Sequence, residues 1–156
     1  MTPRKKSILL LGYAICLIVL VVLKFYGDIP AFLFRIQSNL DYLHAFGQIP
    51  MNVVPLRTLR MYAADLPSPI ALVNLLGNIL PWVPLGVLAR WRFPSAKRSR
   101  VLFGLALFCL AAELVQLVTF TGSFDIDDWI LSFVSGLAGV MVSDLFSSAF
   151  PKRPNL

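Results

Sequence analysis

The sequence predicts an all-α polytopic membrane protein with four transmembrane helices. Of its 156 residues 58% are hydrophobic and 14% are charged, and the mean hydropathy is +0.77, which is far from the composition of soluble domains. Four apolar stretches approach the length of about 20 residues that a helix needs to cross a bilayer. They are residues 7–25, 70–88, 101–120 and 126–146. We expect residues 1–156 to form one membrane domain.

The first stretch follows the basic triplet Arg4, Lys5 and Lys6, which is also how a secretory signal peptide begins. The apolar run is long, however, and no small-residue cleavage site follows it. We therefore predict a retained first helix.

The long connection, residues 26–69, is too apolar to be disordered and too long to be a simple loop. Apolar residues recur in it at helical spacing, which predicts a short amphipathic helix in the membrane interface. They are Phe32, Leu33, Ile36, Leu40 and Leu43. The prolines at 50 and 55 also permit a shallow re-entrant turn between them.

The basic residues predict the orientation. Ten of the 14 fall in three clusters that lie on one side of the four spans. They are Arg4, Lys5, Lys6, Arg90, Arg92, Lys97, Arg98, Arg100, Lys152 and Arg153. The positive-inside rule makes that side cytoplasmic, which predicts a multi-pass protein of the inner or plasma membrane with both termini in the cytoplasm. Because the clusters flank apolar runs instead of forming a face with aromatic residues, we expect membrane lipids and not nucleic acid as partners.

Polar side chains interrupt three of the apolar runs. Asn74 and Asn78 lie one helical turn apart, Glu113 and Gln116 share a face at i and i+3, and the fourth run opens on acids. Those acids are Asp125, Asp127 and Asp128. A carboxylate inside a membrane is costly and suggests function. At the helical rise all of these groups lie at a similar depth, which predicts a pocket open to the outside. The asparagines could instead be interhelical hydrogen-bond partners, and the aspartates helix N-caps.

Four segments together resemble the VanZ-like family. They are Asn-Val-Val-Pro-Leu-Arg-Thr-Leu at 52–59, Asn-Leu-Leu-Gly-Asn-Ile-Leu-Pro-Trp-Val-Pro-Leu-Gly at 74–86, Glu-Leu-Val-Gln at 113–116, and Phe-Asp-Ile-Asp-Asp-Trp-Ile-Leu at 124–131. The resemblance implies a bacterial envelope protein linked to resistance to the glycopeptide teicoplanin, and it adds Asn52 to the polar set. The family commonly has an asparagine at the position of Ser132 and an arginine near residues 121–123, and their loss weakens the inference of an anionic substrate.

Two functions remain open from the sequence. One is an outward-facing enzyme acting on a lipid-linked or cell-wall-derived substrate, with Glu113, Asp125, Asp127 or Asp128 as general base. Its substrate-binding residues would be Asn52, Asn74, Asn78, Gln116 and Ser132. The alternative is a non-catalytic accessory protein that modulates access of glycopeptides. No spacing requires a metal ion or identifies a cofactor, and Cys16 and Cys109 lack metal-ligand spacing.

Overall fold

The computed structural model describes residues 1–23 and 28–149, which are mostly helical. The elements in chain order are α1 (Pro3–Leu17), a π-helical segment (Ile18–Val22), α2 (Ile29–Phe46), β1 (Met51–Asn52), α3 (Arg57–Ala64), α4 (Pro69–Ile79), α5 (Trp82–Arg92), α6 (Arg98–Val118), β2 (Phe124–Asp125) and α7 (Ile126–Ala149).

Three helices in this part of the chain are long and apolar enough to cross a membrane: Ala71–Arg92, Arg98–Val118 and Ile126–Ala149. They match the second, third and fourth predicted spans to within four residues at each end. The first of the three consists of α4 and α5, which are separated by a turn at Leu80 and Pro81. A proline inside a helix removes one backbone donor and clashes with the preceding turn, so the break at Pro81 has a local cause.

The predicted first span coincides with α1 and the π-helical segment, which end at Val22. Residues 24–27, which would complete that span, lie outside the described residues. A fourth crossing therefore stays a prediction.

A helix is present where the long connection was predicted to be amphipathic. It begins at Asp28, whose side chain accepts a hydrogen bond from the Ala31 N–H at 3.0 Å, and ends at Gly47, which has a φ of +64°. Phe32, Ile36 and Leu40 are half-buried, whereas Phe34 is 75% exposed. The helix is thus longer than the predicted segment, and its location in a membrane interface stays a prediction.

Helices α5 and α7 pack against each other through glycines. A Cβ atom on Gly86 would overlap the carbonyl oxygen of Gly136, and one on Gly139 would overlap that of Val83. Such overlaps mean that the two backbones are in direct contact, a packing that small residues permit in membrane helices. The two helices run in the same direction, and α1 and α6 pack against them in the opposite direction.

One end of this bundle carries basic side chains, and we call it the basic end: Lys6, Arg90, Arg92 and Arg98. Lys6 donates a hydrogen bond to the Trp91 carbonyl, and Arg90 and Arg98 form ion pairs with Asp144 at 2.5 and 2.8 Å. The N-terminal and central basic clusters therefore lie together, as predicted. Their position on the cytoplasmic side stays a prediction.

We expect Gly86→Ala and Gly139→Ala to destabilise the protein by at least about 2 kcal/mol, because the added methyl group meets backbone that moves only if the helices separate. Thermal unfolding in a mild detergent measures the effect. Gly77→Ala in α4 is the control, since nothing lies within 4 Å of its added Cβ, and it should be neutral or slightly stabilising. Equal unfolding temperatures for all three variants would contradict the packing described above.

Candidate functional site

A short parallel strand pair brings the long connection to the start of α7. Met51 pairs with Phe124 and Asn52 pairs with Asp125. The pairing places Asn52 beside the aspartates, at the end of the bundle opposite to the basic end. The polar side chains described below lie around this strand pair.

Asp125 is 8% exposed, and both of its carboxylate oxygens are used. Oδ1 accepts from Asn52 Nδ2 at 3.1 Å and from the Asp127 N–H at 2.9 Å. Oδ2 accepts from the Thr58 hydroxyl at 2.5 Å. The bond from Asp127 N–H is the N-cap contact of an aspartate that directly precedes a helix, so Asp125 caps α7 and also holds the long connection.

Asp127 is completely buried, and its carboxylate caps a different helix. Oδ1 accepts from the Leu56 N–H at 2.6 Å, and Oδ2 accepts from the N–H groups of Thr58 and Leu59 at 2.8 and 3.2 Å. These donors lie at the start of α3, where backbone N–H groups have no partner within the helix. Leu56 occupies the cap position and offers no side-chain acceptor. Asp127 therefore supplies the acceptor from α7, where negative charge also suits the dipole of α3.

Glu113 joins α6 to the same group. Its side chain is 4% exposed, and its Oε2 accepts from the Asp125 N–H at 3.2 Å. The glutamate thus points into the protein and not towards lipid. We call the five linked residues Asn52, Thr58, Glu113, Asp125 and Asp127 the carboxylate network.

Gln116, one turn after Glu113, is 7% exposed. Its backbone carbonyl accepts from the N–H groups of Thr121 and Gly122 at 3.2 and 3.4 Å. Its Oε1 lies 3.0 Å from where a Cβ on Gly122 would be. The glycine therefore allows the α6–β2 turn to close over the glutamine side chain.

Three other predicted site residues, Asn74, Asn78 and Ser132, lie near these elements. Asn74 and Asn78 are half-buried on α4, which packs on α3 and α7, and no side-chain hydrogen bond joins either to another described residue. Ser132 is 1% exposed, and its hydroxyl has no partner within the described part of the chain. The catalytic and binding roles of all these residues stay predictions.

Sequence reasoning missed two residues of this region, Thr58 and Tyr62. Thr58 falls inside the quoted segment 52–59, and Tyr62 follows it by one helical turn on α3. Burial raises the pKa of Tyr62 to about 12, with a further contribution from the negative charges of Asp128 and Asp125. The charge of half-buried Asp128 thus acts on Tyr62, and the phenol remains a hydrogen-bond donor at neutral pH.

Within residues 1–23 and 28–149, no group of three histidine, cysteine or acidic side chains is arranged to hold a metal ion. The oxygens of Asp125 and Asp127 point at N–H and O–H donors of the protein instead. Both oxygens of Asp125 and both of Asp127 thus accept hydrogen bonds from the protein.

The family model for VanZ/LLP1 matches residues 10–147. The chain belongs to the VanZ/LLP1 family. The match includes every residue of the carboxylate network and all of the three long apolar helices except the last two residues of the third, so we describe the chain as a membrane protein of VanZ type. No curated protein and no solved structure matched the chain.

We expect Asp127→Ala to free residues 51–64 from the bundle and to lower the free energy of unfolding by about 3 kcal/mol, because three N–H donors lose a charged acceptor. Limited proteolysis of the long connection, together with thermal unfolding in detergent, measures both effects. Asp41→Ala is the matched control, since Asp41 accepts only from Gln37 on the exposed helix α2. Protease resistance equal to that of the unsubstituted protein would show that Asp127 does not hold the segment.

We expect Tyr62 to ionise with a pKa of about 12. Ultraviolet absorbance of tyrosinate, taken as the difference between the protein and Tyr62→Phe, reports this group alone. Asp128→Asn should lower the pKa, because a neutral neighbour no longer opposes the phenolate, but burial should keep it above the ordinary value of 10.0. An ordinary pKa in the unsubstituted protein would contradict the described burial.

Proposed function

We propose that this VanZ-type protein is an envelope protein of the inner or plasma membrane that binds an amphiphilic, lipid-linked or cell-wall-derived molecule at its outer face. Its termini lie in the cytoplasm in this proposal, and the carboxylate network faces outside. The charge distribution supports this orientation, since the N-terminal and central basic clusters share one end of the bundle and the network occupies the other.

The observation that carries the proposal is the way residues 51–56 are held. Their polar and backbone groups bond to Asp125 and Asp127, while apolar side chains of the same segment are exposed: Met51 by 53%, Val53 by 62%, Val54 by 54% and Leu56 by 47%. Exposed apolar patches beside polar groups mark membrane or ligand contacts. An amphiphile could place its apolar part on these side chains and its polar part near Asn52, Tyr62 and Asp128.

The hydrogen bonds favour binding over catalysis for two of the proposed bases. A general base needs a lone pair that can accept a proton from the substrate. On Asp125 and on Asp127, three of about four lone-pair sites already accept N–H or O–H groups that hold α3, α7 and β1. Protonation of either carboxylate would remove support from the fold. These two residues therefore act as positioning residues in the proposal.

One observation supports the enzyme as a second candidate. Glu113 is 4% exposed and lies beside the negative Asp125, and such an environment is typical of carboxyl groups adapted to acid–base work. In that case Glu113 is the general base, and Asn74, Asn78, Gln116 and Ser132 contact the substrate. Either function would change the access of a glycopeptide such as teicoplanin to the cell wall.

Glu113→Gln separates the two functions. If the protein only binds, the isosteric amide should keep teicoplanin resistance and the affinity of the purified protein for a lipid-linked wall precursor within about two-fold, a change of under 1 kcal/mol. If Glu113 is a general base, turnover of that precursor should fall by at least about 100-fold. The strains that carry the unsubstituted protein and Glu113→Gln must contain equal amounts of the protein in the membrane, as measured by immunoblot.

Val54→Asp tests the apolar part of the proposed surface. The charge should weaken binding of the precursor and lower resistance, whereas the matched variant Val54→Leu keeps an apolar side chain and should retain both. Unchanged binding by Val54→Asp at equal membrane abundance would overturn the proposed surface.

A further inference from the structure

A cavity of about 610 Å³ lies between α1, α5 and α6, towards the basic end. Its wall is apolar, with Leu10 and Ala14 from α1, Leu85 and Ala89 from α5, and Leu105 and Phe108 from α6. The volume falls within the range of small-molecule sites, about 300–1,000 Å³. This cavity is separate from the carboxylate network and is not used by the proposed function.

Two arginines lie at one end of this cavity. Arg92 donates from Nε to the Ser7 hydroxyl at 2.5 Å, and Arg100 is exposed at the start of α6. Neither forms an ion pair in the part of the chain that the structure describes, because Asp144, the acid at this end, pairs with Arg90 and Arg98. The cavity therefore combines an apolar wall with two positive charges that form no ion pair with a carboxylate of residues 1–23 or 28–149.

We propose that the cavity binds one anionic phospholipid, with the phosphate between Arg92 and Arg100 and part of an acyl chain along the apolar wall. Guanidinium groups bind phosphate through paired N–H donors, and basic pockets between helices on the cytoplasmic side are suited to anionic lipid headgroups. From Arg100 to Phe108 the cavity follows α6 for about 12 Å, at 1.5 Å per residue. An apolar wall of this length can contact an acyl chain, whereas free phosphate would contact only the end with the arginines.

Native mass spectrometry of the full chain in mild detergent tests the proposal, with equal amounts of phosphatidylglycerol and phosphatidylcholine added. We expect one phosphatidylglycerol per chain to be retained in preference to phosphatidylcholine. Arg100→Gln should lower its retention about five-fold and Arg92→Gln with Arg100→Gln about thirty-fold, on the usual contribution of one basic residue near an anionic surface. Lys97→Gln, an exposed basic residue that does not line the cavity, is the control and should change retention less than Arg100→Gln.

A second variant tests the acyl part and does not depend on Arg92, whose bond to Ser7 also supports the fold. A Cβ added at Gly104 meets nothing within 4 Å, and Gly104 lines the cavity. Gly104→Phe should therefore place an aromatic ring in the space proposed for the acyl chain beside Arg100, without displacing a helix, and abolish retention of phosphatidylglycerol at an unchanged unfolding temperature. The matched variant Gly77→Phe lies on α4 and should retain the lipid.

Several outcomes would overturn the proposal. They are equal retention of the two lipids, retention that survives Gly104→Phe, and a mass of two chains without lipid, which would mean that a second copy covers the cavity. Failure here leaves the proposed function intact, because the precursor-binding tests involve residues at the other end of the bundle.

Discussion

The position of the long connection depends on a buried carboxylate, that of Asp127, which accepts three backbone N–H groups from the start of α3. Without it these donors would lose their acceptor, and each buried group that stays unsatisfied costs about 1–3 kcal/mol. The β1–β2 pair is only two residues long and is too short to hold the segment alone. Asp125, two residues earlier, accepts hydrogen bonds from Asn52 and Thr58. The start of α7 therefore holds the segment of the long connection that packs against it.

Three of the four predicted spans match long apolar helices of the structure, and they were predictable because the physics that produces them is local. Twenty apolar residues in sequence have few alternatives to a membrane helix, and the helical periodicity around Ile36 predicts α2 in the same way. The break at Pro81 was also visible in the sequence, but composition alone merges α4 and α5 into one span. The β1–β2 pairing joins residues more than 70 positions apart, and no periodicity reports a contact of that kind.

That the polar residues lie close together was predictable in part, but the hydrogen bonds that they form were not. Depth along the helices predicts that Glu113 and the aspartates lie near one another. Asn52 was included in the predicted site only because of the family resemblance. What a sequence does not give is whether a carboxylate's lone pairs are already occupied by the protein. The structure shows that Asp125 and Asp127 each accept three N–H or O–H donors, so both residues hold the segment, and their role as bases stays a prediction.

The packing of α5 on α7 also determines which arginines of the basic end pair with Asp144. Direct backbone contact at Gly86 and Gly139 fixes how the two helices align, and this alignment places Asp144 beside Arg90. Arg92 lies two residues later, about 200° around the helix, so it faces α1 and Ser7 instead of Asp144. Asp144 is thus held on one side of α5, and Arg92 on its other side forms no ion pair with another described residue. The same glycine contact that stabilises the bundle therefore leaves a cationic apolar cavity against α1 and α6.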